Sequence, residues 1–107
     1  LEEMFLVAQT YEPGSKEFNE VFEIAVRMFP DDPTANLNVA CAMIESGQYG
    51  RAEAYLAKAG NLPEAVHARG VMAARQGRED EARRLFGQAG QAGVKEATEN
   101  LRLMDME

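Results

Sequence analysis

Glu64 and His67 are the two side chains whose spacing most directly suggests chemistry. A glutamate followed three residues later by a histidine places both groups on one helical face, as in the carboxylate sites of di-iron bundles. Such a site needs a second copy of the pair and further carboxylates, and the chain contains one histidine. Glu64 is explained more simply as an acidic residue in the first turn of a helix, where the helix dipole favours it. The sequence therefore predicts no metal and no other cofactor.

Catalytic groups of other kinds are also scarce. No serine lies on a nucleophile elbow or close to a second acid-base partner. Gly87, Gly90 and Gly93 lie in or after a predicted helix, whereas a phosphate-binding loop follows a strand. The acidic run 79–81 and the basic pair Arg83 and Arg84 are explained by pairing within one helix and with its dipole. We therefore expect a protein without enzymatic activity.

The chain has a single cysteine, Cys41. One cysteine excludes an internal disulfide framework and a zinc site of the ordinary kind. Free cysteine is among the most buried residue types, so an interior-facing Cys41 is the default expectation.

The charge is acidic and unevenly distributed. The net charge is −7, and residues 1–32 contribute −6 of it, with eight acidic side chains against Lys16 and Arg27. Nucleic acid is a poor partner for such a surface, because binding to phosphates needs a basic stripe. A basic or neutral protein partner is allowed, and a solvated acidic face that keeps the domain soluble is the simpler alternative. No run of about 18 apolar residues is present, so we expect no direct membrane insertion of this segment.

Seven helices are expected from apolar periodicity and from helix start and stop signals. Ser15 is predicted to cap the second helix, and Asp32 with Pro33 is predicted to start the third. Gly47 should end the third helix, and Gly90 to Gly93 should form a loop. Gly70 lies inside a helix, where it costs about 1 kcal/mol relative to alanine, so a neighbouring helix is expected to cross close to it. The predicted helices cover about 2–10, 16–29, 33–46, 49–59, 63–76, 79–89 and 94–104.

One spacing pattern recurs along the chain. Counted from Gly47, small or bulky apolar residues lie at Ala40, Ala52, Leu56 and Ala59, and the same offsets from Gly77 give Gly70, Ala82, Phe86 and Ala89. Phe22 and Ala25 precede Leu56 and Ala59 by 34 residues. A helix-turn-helix period of 34 residues with small residues at the helix crossings is typical of tetratricopeptide repeats, and the chain resembles that family along its whole length.

The resemblance implies an all-α fold, a TPR-like α-α superhelix of three helical hairpins plus a C-terminal capping helix. The repeat units are about 1–32, 33–60 and 61–92, the capping helix is 93–105, and together they form one domain, 1–107. Asn36 and Val66 stand where the family often has an aromatic residue, and Leu6 and Phe18 stand where it has small ones. The shortened link at 60–63 is similar to Sel1-like relatives. The N-terminus lacks Met and a leader pattern, which suggests a fragment of a longer protein or a processed chain.

The resemblance also implies a concave groove lined by the first helix of each hairpin. The lining residues in the central copy are Thr34, Leu37, Asn38, Cys41, Ile44 and Glu45. Those in the next copy are Glu64, His67, Ala68, Val71, Ala74 and Arg75, and the first copy would add Glu3, Val7 and Thr10. Asn38 matches a frequent peptide-gripping asparagine, and Arg75 could meet a carboxylate. The basic set that clamps chaperone C-termini is otherwise missing, so that specificity is not expected.

Two functions remain open from the sequence. The first is a non-enzymatic protein-protein interaction module that binds a peptide or partner segment in the groove. The second is a structural spacer or dimerisation appendage of a larger cell-envelope protein, with a homodimer as one form. Segments 7–15 and 30–38 resemble repeat tails of cell-envelope proteins from Bacteroides-like bacteria, which accompany outer-membrane or fimbria-associated domains. That resemblance implies a location in the periplasm or at the envelope, which the sequence otherwise leaves unknown.

Overall fold

The computed structural model describes residues 1–106, and within them every regular element is an α-helix. The prediction of an all-α fold is confirmed. None of the helices in this range combines the length and apolar composition that crossing a bilayer requires. The helices in chain order are α1 (Glu2–Ala8), α2 (Lys16–Met28), α3 (Pro33–Glu45), α4 (Tyr49–Ala59), α5 (Pro63–Arg75), α6 (Glu79–Gln91) and α7 (Lys95–Asp105).

The chain divides into two compact units, which are described separately. Unit 1 covers Leu1–Gly60 with helices α1 to α4, and unit 2 begins at Asn61 and contains α5 to α7. The division coincides with the predicted boundary between the second and third repeats. In each unit, helices that follow one another in the chain pack against one another.

Helices α2 and α3 of unit 1 begin as the sequence predicts. The Ser15 hydroxyl accepts a hydrogen bond from the backbone N–H of Phe18 at 3.2 Å, and the Asp32 carboxylate accepts one from Ala35 at 2.8 Å. Pro33 occupies the first turn of α3, where its missing N–H leaves no bond unmade. Both predicted caps are therefore confirmed.

Aromatic rings fill the first hairpin. Phe22 on α2 is buried, and its ring centroid lies 5.5 Å from that of Phe5 on α1 and 4.9 Å from that of Phe18. Offset and tilted rings at these distances attract one another beyond simple burial. The divergent first repeat thus replaces close helix contact through small residues with an aromatic cluster.

Asn36 is the buried polar side chain of unit 1, and it ties α3 to the end of α2. Its Nδ2 donates to the carbonyl oxygens of Pro30 at 2.9 Å and Asp32 at 2.8 Å. The residue is 0% exposed, and its Oδ1 has no hydrogen-bond partner among the described residues. The amide therefore satisfies chain carbonyls at the turn between hairpins, at the position where an aromatic residue is common in the family.

The repeat shift of 30 residues is visible in the turns. Gly47 and Gly77 have φ values of 77° and 79°, a region that glycine adopts without a steric penalty. The next backbone N–H donates to the carbonyl five residues back in both turns, Gln48 to Met43 at 2.8 Å and Arg78 to Ala73 at 2.9 Å. This pairing is the Schellman end of a helix. All eight residues at the matching offsets are buried: Ala40, Ala52, Leu56, Ala59, Gly70, Ala82, Phe86 and Ala89.

Unit 2 is organised around Phe86, which is 3% exposed. A Cβ placed on Gly70 would lie 2.7 Å from the Phe86 ring, so the expected close crossing at Gly70 is confirmed. The cluster around this crossing contains Ala73, Ala82, Phe86, Ala89, Val94 and Ala97, with Leu101 and Met104 of α7 packed against it. Helix α7 therefore covers the end of this core with its apolar stripe, as predicted.

Three predicted boundaries differ from the structure. Helix α6 continues to Gln91, so the loop predicted from Gly90 begins two residues later. The backbone at Gly90 approaches α7 so closely that a Cβ would lie 2.5 Å from Thr98 Oγ1, and this small residue serves a helix contact. Helix α1 ends at Ala8 because Thr10 donates through both its N–H and its hydroxyl to the Val7 carbonyl oxygen, which closes the last turn. Helix α7 is displaced by one residue, Lys95–Asp105.

Candidate functional site

A surface cleft in unit 1, called here the unit 1 cleft, brings together three of the predicted groove residues. Its volume is about 480 Å³. One wall is formed by the α1–α2 connection and the start of α2, and the other by the C-terminal half of α3. The lining residues are Pro13, Gly14, Phe18 and Asn19 on the first wall and Asn38, Cys41, Ala42 and Glu45 on the second.

The short first helix creates this cleft. Helix α1 has seven residues, whereas α3, its counterpart in the next hairpin, has 13. Residues 9–15 then cross to α2 without continuing the helix, and Gly14 adopts a φ of 85° there. The connection therefore occupies less space beside α3 than two more helical turns would, and the space is left open.

The polar groups in the unit 1 cleft are suited to binding. Asn38 Nδ2 donates to the Thr34 carbonyl oxygen at 2.9 Å, which fixes the orientation of its amide. Asn19 lies on the opposite wall and leans toward the Gly14 carbonyl, with 3.5 Å between Nδ2 and the oxygen. An asparagine amide carries two N–H donors and an acceptor oxygen, so one internal bond leaves capacity for a bound chain. Phe18 is half-buried and supplies an apolar surface between them.

Cys41 is exposed, so the expectation of an interior-facing cysteine is wrong. On α3, Ala40 and Ile44 occupy the buried stripe, and Cys41 lies beside it on the side that faces the cleft. Desolvation by the surrounding protein raises the pKa of the Cys41 thiol, and the charge of Glu45 raises it further. The thiol is therefore protonated and weakly nucleophilic at neutral pH.

Unit 2 carries a smaller cleft of about 240 Å³ between its helices. Two predicted groove residues, Val71 and Arg75, line it together with Ala74 of α5. The remaining lining residues are Phe86, Asn100, Leu103 and Met104. The capping helix thus forms one wall, which the sequence analysis did not anticipate because it assigned the groove to the first helix of each hairpin.

His67 is half-buried and contacts the capping helix. Its Nε2 lies 3.0 Å from Nδ2 of Asn100, and its ring centroid lies 5.6 Å from that of Phe86. Since the asparagine Nδ2 is a donor, neutral His67 accepts this bond at Nε2. Burial lowers the pKa of His67, and the negative charge of Glu96 partly counteracts this effect. The prediction that Asn100 lies on the outer face of α7 is therefore wrong, because Asn100 faces α5.

Arg83 pairs with the end of α7 instead of with the acidic residues of its own helix. It forms an ion pair with Asp105 and donates to the Met104 carbonyl oxygen at 3.2 Å. The local pairing expected in this charge run is formed by Arg78 and Glu81 at 3.0 Å. A cation at the C-terminal end of a helix is favoured by the helix dipole. Sequence periodicity could not identify this contact, because its partners are 22 residues apart.

The other predicted groove residues are distributed more widely. Thr34 and Glu64 are exposed in the first turns of α3 and α5, and Leu37 is half-buried on α3. Ile44 and Ala68 are 3% and 5% exposed, so they belong to the core and the prediction that they line a groove is wrong. Glu3, Val7 and Thr10 are exposed on α1 and just after it, outside the lining of the unit 1 cleft. Four lining residues, Pro13, Gly14, Phe18 and Asn19, were missed, and the Pro-Gly break after a short helix was the available signal.

No family model, curated protein or solved structure matches the chain. Within residues 1–106, no group of three or more His, Cys, Asp or Glu side chains is placed to hold a metal ion. The unit 1 cleft, with its two amides, one ring and one carboxylate, is therefore the arrangement on which a functional interpretation can be built.

Proposed function

We propose that the chain is a non-enzymatic protein-protein interaction module of tetratricopeptide-like hairpins that binds an extended peptide segment in the unit 1 cleft. The observation that supports this most directly is the convergence of Asn38, Cys41 and Glu45 with Phe18 and Asn19 on one open cleft. Amides on opposing walls can pair with the backbone of an extended segment, while an apolar floor accepts a side chain. The proposal includes the predicted superhelical stacking of the hairpins and a location at the bacterial cell envelope, both of which come from the resemblance.

The test is to fill the cleft without disturbing the core. Cys41→Trp places a large ring at an exposed position inside the cleft, and Ala54→Trp places the same ring at an exposed position on α4 outside its lining. Binding is measured as fluorescence from labelled protein on an array of immobilised eight-residue peptides. We expect a defined subset of peptides to bind the wild type and the Ala54→Trp variant, and binding to be lost in Cys41→Trp at an unchanged unfolding midpoint.

Two results would overturn the proposal. One is an array on which no peptide is bound above background by the wild type. The other is binding that survives unchanged in a folded Cys41→Trp protein, because the peptide would then lie elsewhere.

A spacer or dimerisation appendage of a larger cell-envelope protein, with no separate groove ligand, is the second candidate. It is favoured by Ile24 and Met28, which lie one turn apart on α2 and are 47% and 62% exposed. Exposed apolar neighbours of this kind mark interaction surfaces. If this candidate is correct, sedimentation equilibrium detects a dimer that Met28→Glu dissociates, and the peptide array stays empty.

A further inference from the structure

We infer that the segment bound in the unit 1 cleft carries a lysine or arginine whose charged group lies at Glu45, next to an apolar side chain that contacts Phe18. This inference rests on the proposed function, since it specifies which peptides the cleft accepts. The occupant is thus an apolar and basic segment of another protein.

The charge of the cleft is the first reason. Among the described residues, Glu45 is the one charged side chain in the lining, and neither lysine nor arginine contributes to it. Glu12 and Glu17 are exposed and directly adjoin the lining residues Pro13 and Phe18 in the chain. An acidic peptide would meet like charge here, whereas a basic one meets opposite charge.

The direction of α3 is the second reason. Glu45 is the last residue of this helix, so the negative end of the helix dipole and the carboxylate coincide at the same end of the cleft. Side chains with positive charge are favoured at such a position, and both contributions act on the same cation. The raised pKa of the neighbouring Cys41 is consistent with this, because the charge of Glu45 contributes to it.

Phe18 fixes where the apolar side chain lies. Its ring packs against the buried ring of Phe22, with 4.9 Å between centroids, which leaves the remainder of the half-buried ring available to the cleft. Asn19 is its neighbour on the same wall, and Asn38 lies across from it on α3. A segment held by these amides would therefore present one side chain to Phe18 and another toward Glu45.

The charge of unit 1 as a whole agrees with a basic partner. Residues 1–60 contain ten acidic and four basic side chains, for a net charge of −6. A field of this sign accelerates the approach of basic segments and slows that of acidic ones. The effect weakens as salt is added, which makes it measurable.

The experiment uses the same peptide array, with all positions randomised, and fluorescence anisotropy of selected peptides. The variants are Glu45→Gln, which removes the charge at constant shape, and Glu53→Gln, a matched change at an exposed glutamate of α4 outside the lining. We expect the bound peptides to be enriched in lysine and arginine beside an apolar residue. Glu45→Gln should weaken their binding about 5-fold, the size of one accessible charge pair, and Glu53→Gln should leave it unchanged.

The outcomes separate this inference from the proposed function. If peptides bind and are displaced by Cys41→Trp, yet show no preference for basic residues or no response to Glu45→Gln, the inference is overturned and the interaction module stands. If the array stays empty, both are overturned. Lysine-to-glutamine versions of the selected peptides provide the complementary test, since they should lose the same affinity and should no longer respond to Glu45→Gln.

Discussion

Gly70 on α5 lies against the ring of Phe86 on α6 so closely that a Cβ at Gly70 would be 2.7 Å from Cδ1 and Cε1 of the ring. Phe86 is buried, and His67 packs against its ring. The ring is therefore confined and cannot move aside without disturbing the core of unit 2. Glycine at this position is required by packing, even though it weakens the helix.

Gly70→Ala is expected to lower the free energy of unfolding by about 1–2 kcal/mol. Alanine gains about 1 kcal/mol in helix propensity, but overpacking of a tight core costs about 1–3 kcal/mol. Because the contact is well below van der Waals distance, we expect the packing loss to exceed the gain. Urea unfolding followed by circular dichroism measures the difference.

Gly87→Ala is the matched control for Gly70. Gly87 also lies within a helix, and a Cβ there would meet no described heavy atom within 4 Å. Alanine should therefore stabilise unit 2 by up to about 1 kcal/mol. If both variants were stabilised alike, the close crossing of α5 and α6 would be incorrect.

Asn36→Ala is expected to lower the free energy of unfolding by about 1–3 kcal/mol, which is typical when buried groups lose a hydrogen-bond partner. The carbonyls of Pro30 and Asp32 both lose the Asn36 donor. Asn36→Asp should be more damaging, because a carboxylate would face two carbonyl oxygens. Urea unfolding compares the variants.

Asn38→Ala provides the comparison for Asn36. Asn38 also donates to a main-chain carbonyl, that of Thr34, but it remains partly accessible to water, which can replace it. Its loss should change stability by no more than about 0.5 kcal/mol. Equal effects at the two asparagines would show that the Asn36 amide does not hold the turn between hairpins.

Much of the fold could be predicted from the sequence because it is encoded in local signals. Asp32 with Pro33 starts a helix, and Gly47 and Gly77 end one, through interactions within a few residues. The matching offsets of alanine and glycine predicted which residues are buried. The all-α fold and the inward face of each hairpin follow from such patterns.

The candidate site could be predicted only in part, because a cleft depends on which elements lie next to each other. Asn38, Cys41 and Glu45 were expected together from their positions on one helix, whereas Phe18 and Asn19 approach them only because α1 is short. The contacts of His67 with Asn100 and of Arg83 with Asp105 join residues more than 20 positions apart. Periodicity along one helix contains no information about such pairs.

Unit 2 is expected to lose stability as the pH falls below the ordinary pKa of histidine, 6.5. Burial lowers the pKa of His67 in the folded chain, so the unfolded chain binds this proton more readily, and acidification favours unfolding. The loss begins near pH 6.5 and continues until folded His67 is protonated as well. Protonation also removes the acceptor for Asn100 Nδ2, 3.0 Å away. Urea midpoints between pH 7.5 and pH 5.5 measure this dependence.

His67→Gln identifies the source of the pH dependence. Glutamine cannot titrate in this range, so the variant should show a flatter stability profile than the wild type, even if its stability at pH 7.5 is lower. The window lies above the pKa range of ordinary carboxylates, whose titration would affect both proteins. Parallel profiles in the two proteins would show that His67 titrates normally in the folded state.

Cys41 is expected to react with iodoacetamide more slowly than a free cysteine at pH 8, although it is exposed. Desolvation and the charge of Glu45 both raise its pKa, which reduces the reactive thiolate fraction. Glu45→Gln removes the second cause and should increase the rate about 2- to 5-fold, whereas Glu53→Gln should not. The pH at half-maximal rate should shift downward in Glu45→Gln alone. Identical profiles in all three proteins would mean that the carboxylate does not reach the thiol, and the assignment of Glu45 to the wall of the unit 1 cleft would fail.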